Sequence, residues 1–383
     1  MNFTLTEDQT AIQETALAFA KERIAPGAAE WDETCHFPVD VIREAAALGM
    51  STIYVPSEQG GTGLSRLDGA LIFEALAYGC PAISSYISIH NMVAWMVAKY
   101  GTPEQVAAWM PNLASMDWLS SYCLTEPGAG SDATALAATA RRDGGDYILD
   151  GTKQFISGAG SADFYFIFAR TGGDGAGGVS AFVVMKDTPG LSFGPLERKM
   201  GWNAQPTRQV IMENCRVPAA NLVGGVEGQG FKFAMSGLDG GRINIGACSL
   251  GAAWMALDKA RDYLFERKAF GKNLSDFQAL QFKIADMATD LEAARLMIYR
   301  AGDALDRADP QASMYSAMAK RYATDLGFQI CNEALQLHGG YGYLKDYGLE
   351  KLVRDLRVHQ ILEGTNEIMR VVIARKVLGG NRN

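Results

Sequence analysis

The chain has 383 residues, 48% of them hydrophobic and 20% charged, which suits a globular protein with two or three domains and a substantial core. Its formal net charge of −8 argues against nucleic acid or an anionic membrane as the main partner. The six cysteines stand singly, and the four histidines lie in no Cys or carboxylate cluster, so no zinc site is expected and the thiols read as reduced.

Met1 leads almost at once into a helical pattern, without a charged-then-apolar leader or an apolar run long enough for a bilayer. This predicts a soluble cytoplasmic protein with no membrane insertion. Residues 1–120 read as helical. Thr6-Glu7-Asp8-Gln9 is a capping box, with Ile12, Ala16, Phe19 and Ala20 recurring on one face behind it. Thr102-Pro103-Glu104-Gln105 repeats the signal, with proline at the first helical position.

The period changes over 121–230. Asp146–Leu149 and Lys153–Ser157 read as two strands joined at Asp150-Gly151, a dipeptide suited to a hairpin turn. Further strands are expected at Phe164–Phe168, Val179–Met185 and Gln209–Met212, separated by Gly-rich or Pro-Gly turns. Together they predict a small β-barrel or sandwich. From 231 to 383 the helical period returns in long segments. One runs from Phe277 to about Arg307 and another from Ala312 to His338, the latter ended by Gly339-Gly340. Long helices with short connections predict a four-helix bundle.

Three segments could carry chemistry. The loop Tyr122–Asp132 (YCLTEPGAGSD) offers open backbone amides and short hydroxyls, a surface suited to phosphate or the polar edge of a heterocycle. Its residues alone also fit an ordinary Pro-Gly turn, and no P-loop or G-x-G-x-x-G pattern is present here. Asp239 and Arg242 bracket Gly240-Gly241, which fits either a ligand-facing helix start or an exposed pair. Glu363 follows an apolar pair and would ordinarily be a surface residue; His359, four positions earlier, reads as structural.

Taken together these segments resemble the acyl-CoA dehydrogenases. The loop at 122–132 is similar to that family's flavin-binding loop. Phe155-Ile156-Ser157 falls where the family stacks an aromatic near the flavin, and Arg267–Gly271 resembles its R-K-x-F-G segment. Leu337–Gly340 resembles the H-G-G turn and Ile361–Ile368 the catalytic E-G-T/S segment. The likeness keeps motif order and spacing over nearly the whole chain.

The resemblance implies an α+β multidomain protein: a helical domain at 1–120, a β-domain at 121–230 and a helical bundle at 231–383. It implies bound FAD, held by Tyr122, Leu124, Thr125, Gly130, Ser131, Phe155, Ile156 and Ser157, with Thr365, Asn366 and Glu367. Arg267, Phe277, Gln278 and Gln336 would reach the cofactor's diphosphate and adenine across a dimer contact, and Phe270, Gly339 and Gly340 would also bind it. Ser131, Asp239, Gly240, Gly241, Arg242, Gly364 and Arg375 would bind the acyl-CoA substrate, with Arg242 on the polar part of coenzyme A. Glu363 would be the catalytic base, and its N–H with a flavin ribityl hydroxyl would polarise the acyl carbonyl. Isovaleryl-type members place the base at the position aligned with Gly241, which glycine excludes here. An electron-transfer flavoprotein as partner and a homotetramer follow by the same resemblance. Tyr86–Met92, Gly201–Arg208, Asp239–Ile245, Gly339–Tyr347 and Arg357–Leu362 further resemble members that convert isobutyryl-CoA to methacrylyl-CoA in valine catabolism. A 2-methylbutyryl- or butyryl-CoA dehydrogenase is the alternative, and an inactive flavin-binding scaffold protein a third.

Overall fold

The computed structural model describes residues 4–379. Its first part is helical: α1 (Glu7–Phe19, continued by a π turn over Ala20–Ile24), α2 (Ala28–Thr34), α3 (Val39–Ala47), α4 (Arg66–Gly79), α5 (Pro81–Tyr100) and α6 (Pro103–Ala114). Reciprocal capping boxes start α1 (Thr6 with Gln9), α4 (Ser65 with Asp68) and α6 (Thr102 with Gln105), each satisfying amides that an uncapped helix leaves free. Both α4 and α5 are buried along most of their length and form an inner layer against the C-terminal helices.

Seven strands follow: β1 (Ser120–Cys123), β2 (Thr139–Asp143), β3 (Asp146–Ser157), β4 (Phe164–Arg170), β5 (Val179–Met185), β6 (Leu191–Phe193) and β7 (Thr207–Pro218). They form one sheet in the order β1-β4-β2-β3-β7-β6, with β5 antiparallel to β4. Asp150-Gly151 is not the hairpin turn expected from sequence. It lies inside β3, where the pairing with β7 shifts register between Leu149 and Gly151. Gly151 takes φ 140° and Asp150 accepts the Asn214 N–H at 2.7 Å, so the dipeptide makes a β-bulge. The turn falls at Gly144-Gly145 instead, with Gly144 at φ 62°.

The last part is α7 (Gly230–Glu266), a short hairpin of β8 (Lys268–Ala269) and β9 (Lys272–Asn273), α8 (Gln278–Asp306), α9 (Ala312–Leu337), α10 (Leu349–Arg357) and α11 (Asn366–Val377). The bundle consists of the three long helices α7–α9, packed on α4, with α10 and α11 lying against α9. Among the described residues no helix is long and apolar enough to cross a membrane, and the six cysteines are free thiols, five of them buried.

Candidate active site

One wall of the site is built around a buried ion pair. After β1 the chain doubles back through reciprocal backbone hydrogen bonds between Glu126 and Ala129, 3.0 and 3.1 Å. The Glu126 carboxylate accepts from the Ala137 and Ala138 N–H groups at 2.6 and 3.0 Å. It also accepts from Lys153 Nζ at 2.7 Å, the lysine side chain being fully buried. A buried charge is tolerable only when paired and hydrogen-bonded in this way, so the loop's shape is closely prescribed. Thr125 is tied to β3 by its carbonyl, which accepts the Gln154 N–H at 2.8 Å. Beyond Lys153 the register with β7 slips again. Phe155 adopts φ 59° and stays 65% exposed, costly for an aromatic that has no ring partner among the described residues.

This wall faces a cavity of about 1000 Å³. Tyr122, Leu124, Thr125, Gly130 and Ser131 line it from the loop, and Phe155, Ile156 and Ser157 from β3. Arg242 on α7 and, from the C-terminal segment, Glu363, Gly364 and Arg375 line the same cavity. Residues more than 250 positions apart in the chain are thus gathered into one place.

Glu363 sits on a strained turn between α10 and α11. It takes φ 53°, a conformation unfavourable for any residue with a Cβ, and Gly364 after it takes φ 89°. Lys320 Nζ, buried on α9, holds the turn by donating to the Gly364 carbonyl at 2.8 Å and to Asn366 Oδ1 at 2.9 Å. Thr365 caps α11, its hydroxyl accepting the Ile368 N–H at 3.3 Å. Arg242 Nη1 pairs with Asp239 Oδ1 at 2.7 Å, and its Nε reaches the Glu363 carbonyl at 3.4 Å. Glu363 keeps some contact with the cavity, yet its Oε2 is buried and has no hydrogen-bond partner among the described residues. Burial pushes its pKa up from 4.5 to about 7, against the opposing pull of Lys320 and then Arg242. A Cβ at 241 would come within 2.3 Å of Glu363 Oε2, so any larger residue there would force the carboxylate to move.

Other expected site residues stand elsewhere. Arg267, Gln336, Gly339 and Gly340 line a separate cleft of about 550 Å³ with Tyr263 and Lys283. Phe270 is 96% exposed, and Phe277 and Gln278 lie at the start of α8; none of the three lines the large cavity. Five more of the expected residues have definite places or partners in the fold. Arg242 lines the cavity with its Nη1 paired to Asp239, and Asp239 also accepts from Ser313 Oγ at 2.5 Å. Gly240 lies against the buried Arg66 side chain and not on the cavity wall. The Asn366 amide is consumed by Lys320, Thr324 and Asp325, and Glu367 is an exposed first-turn residue 3.8 Å from Arg370. Lys320 went unread in the sequence, although a lysine among the small buried residues of α9 (Ser316, Ala317, Ala323, Thr324) was a visible anomaly. Trp202 also lines the cavity without having been singled out.

The chain matches the family models described as acyl-CoA dehydrogenase N-terminal domain over residues 6–117, middle domain over 121–215 and C-terminal domain over 228–378. It is 54% identical over 374 residues to a Bos taurus protein named isobutyryl-CoA dehydrogenase, mitochondrial, covering 98% of this chain and 90% of that one. The solved butyryl-CoA dehydrogenase of Megasphaera elsdenii superposes with a TM-score of 0.95 at 36% identity, covering 99% of this chain and 100% of that one. A structure described as PigA with FAD and proline superposes equally well, with a TM-score of 0.95 at 31% identity over 99% of this chain and 100% of that one. A buried carboxylate facing a cavity walled by a glycine loop and an unpartnered aromatic, in a chain matched by all three domain models, has one consistent reading: the protein belongs to the acyl-CoA dehydrogenase family.

Proposed function

We propose that this protein dehydrogenates a short branched acyl-CoA, isobutyryl-CoA to methacrylyl-CoA, with FAD as cofactor, as a step of valine catabolism. The observation that carries the reading is Glu363: a carboxylate with an orphaned Oε2, raised to about 7 by burial, in the wall of a cavity that also holds Thr125, Ser131 and Phe155. The relative named isobutyryl-CoA dehydrogenase supports the choice of acyl group.

The residues present suit FAD. Gly130 has open space where a Cβ would project, so the backbone of the 124–131 loop can approach a flat polar edge. Phe155 offers an apolar ring whose exposure the protein alone does not relieve. Tyr122, Leu124, Thr125, Ser131, Ile156 and Ser157 would complete the cradle. Arg267, Gln336, Gly339 and Gly340, in their separate cleft, would complete the site of a neighbouring subunit in a homotetramer. Bound FAD supplies the acceptor for the hydride that leaves Cβ.

The chain's own work is proton abstraction and polarisation. Glu363 Oε2 takes the proton from Cα. A base near 7 is matched to working pH, being about half ionised at neutrality yet still basic enough to receive the proton. The Glu363 N–H makes no hydrogen bond among the described residues and is free to donate to the acyl carbonyl, where negative charge grows as the proton leaves. Gly241 leaves the carboxylate room, and Lys320 and Arg242 fix the turn that carries it. Electrons would then pass to an electron-transfer flavoprotein, in the cytoplasm.

The test is Glu363→Gln, which keeps shape but removes the proton acceptor. FAD and isobutyryl-CoA should still bind, while bleaching of the flavin absorbance by substrate slows by more than the roughly 10²–10⁴-fold typical of general base catalysis, since Glu363 is the one carboxylate assigned to the proton. Bleaching at near wild-type speed would remove Glu363 from the role.

A further inference from the structure

Just before Glu363 the turn is fastened by a buried relay. His359 lies in the 3-10 turn Val358–Gln360 and is fully buried. Its Nε2 meets the Trp202 indole Nε1–H at 3.1 Å, and its Nδ1 meets Ser249 Oγ on α7 at 2.7 Å. The Ser249 hydroxyl in turn donates to the Ile245 carbonyl at 3.0 Å. An indole nitrogen can only donate, so Nε2 must be bare and the ring proton must sit on Nδ1, directed at Ser249. Every donor from Trp202 to the helix carbonyl therefore points the same way, and each member is satisfied only while the imidazole is neutral.

Trp202 comes from the connection between β6 and β7. It is 5% exposed, takes φ 57° and lines the cavity. Its backbone N–H donates to Asp355 Oδ1 at 2.6 Å, and Asp355 is paired with buried Lys351 at 2.6 Å. The relay thus binds three parts into one unit: the sheet side of the cavity, the helix bearing Gly241 and Arg242, and the turn that ends in Glu363. Lys320 holds that turn from the other side through Gly364. A non-glycine residue persists at positive φ only where its surroundings over-determine it, and these two anchors bracket Glu363.

We infer that Trp202, His359 and Ser249 are positioning residues that set the placement of the Glu363 carboxylate. The inference rests on the reading of Glu363 as the base. Neither His359 nor Ser249 exchanges protons with a substrate; the relay acts through geometry. A base displaced by about 1 Å can lose about 10²-fold in rate, whereas ligand affinity depends on the rest of the cavity wall.

The experiment compares FAD-loaded His359→Leu, His359→Gln and Trp202→Phe with wild type, with Glu363→Gln alongside. His359→Leu should lower kcat about 10²-fold, with KM and FAD content unchanged. It should also move the acid limb of the pH profile downward as water reaches the carboxylate; Arg242, Lys320 and Tyr122, which face Glu363 from α7, α9 and β1, stay in place. His359→Gln should recover most of kcat, because its amide can accept from Trp202 and donate to Ser249. Trp202→Phe keeps the ring, loses the donor and should shift kcat in the same direction as His359→Leu; it decides the matter if the leucine variant does not hold FAD. ¹⁵N spectra of His359 should show a protonated Nδ1 and bare Nε2 from about pH 5 to 8. Wild-type kcat in both His359→Leu and Trp202→Phe, a glutamine variant as impaired as leucine, or an imidazolium in that range would each overturn the relay. Should Glu363→Gln prove fully active, the reading of the base falls instead, so the two failures are distinguishable.

Discussion

Replacing Glu363 by glutamine should stabilise the folded protein at alkaline pH while abolishing its chemistry. The displacement of the Glu363 pKa from 4.5 to about 7, at about 1.4 kcal/mol per pH unit, means that ionising the group costs about 3.5 kcal/mol more in the fold than in the unfolded chain. The sign follows from a raised folded-state pKa. The stability linked to the protonated carboxyl is fully present below about pH 4.5 and is lost as pH climbs through about 7. Glutamine, uncharged throughout, escapes that loss. Because the carboxylate borders the cavity, water there screens part of the effect, and a gain of about 1–3 kcal/mol is expected at pH 8. Urea unfolding of substrate-free wild type and Glu363→Gln, each with FAD, should give midpoints that converge near pH 4.5 and separate above pH 7. Equal midpoints at pH 8, with intact two-state transitions, would refute the claim that burial raises this group.

Other substitutions probe the same geometry. Gly241→Ala should lower kcat by about 10²-fold with FAD retained, because its methyl group would displace the Glu363 carboxylate; stopped-flow flavin reduction reads this directly. Lys320 lowers the Glu363 pKa from its buried position, so Lys320→Met should move the acid limb of kcat/KM above about 7. Arg267→Ala, in the second cleft, should weaken FAD retention and thermal stability together if that cleft completes a neighbouring subunit's site, and a stable monomer with full FAD affinity would disprove the connection.

The helices were more legible than the strands, for physical reasons. Capping residues and a 3.6-residue period are local, so the starts at Thr6 and Thr102 and the span of α8 and α9 could be read to within a residue or two. Asp150-Gly151 misled because a positive-φ glycine serves a hairpin turn and a β-bulge equally well, and the choice depends on β7, more than 50 residues away. The cavity wall was legible as motifs, since Thr125, Ser131 and Phe155 lie in recognisable segments. Individual side-chain partners were not. The i,i+3 spacing of Asp239 and Arg242 permits their pairing, but nothing local reports that the Asn366 amide turns inward to Lys320 and Asp325.

The opposing demands on Glu363 account for the machinery around it. A carboxylate reaches a pKa near 7 only by losing water, and a desolvated charge is drawn to any cation in range. Arg242 and Lys320 both lie close enough to lower its pKa, and either could take the carboxylate in a salt bridge that would end its usefulness as a base. Both are held by other partners. Asp239 occupies Arg242, while the Gly364 carbonyl and Asn366 occupy Lys320, leaving Oε2 unpaired. An unpaired buried acceptor costs about 1–3 kcal/mol, and a strained φ adds a similar amount. No local preference of the sequence at 361–366 would sustain both penalties. They persist because the turn is fastened on each side by groups from distant parts of the fold, and that is why the residues holding Glu363 matter to the chemistry without touching the acyl group.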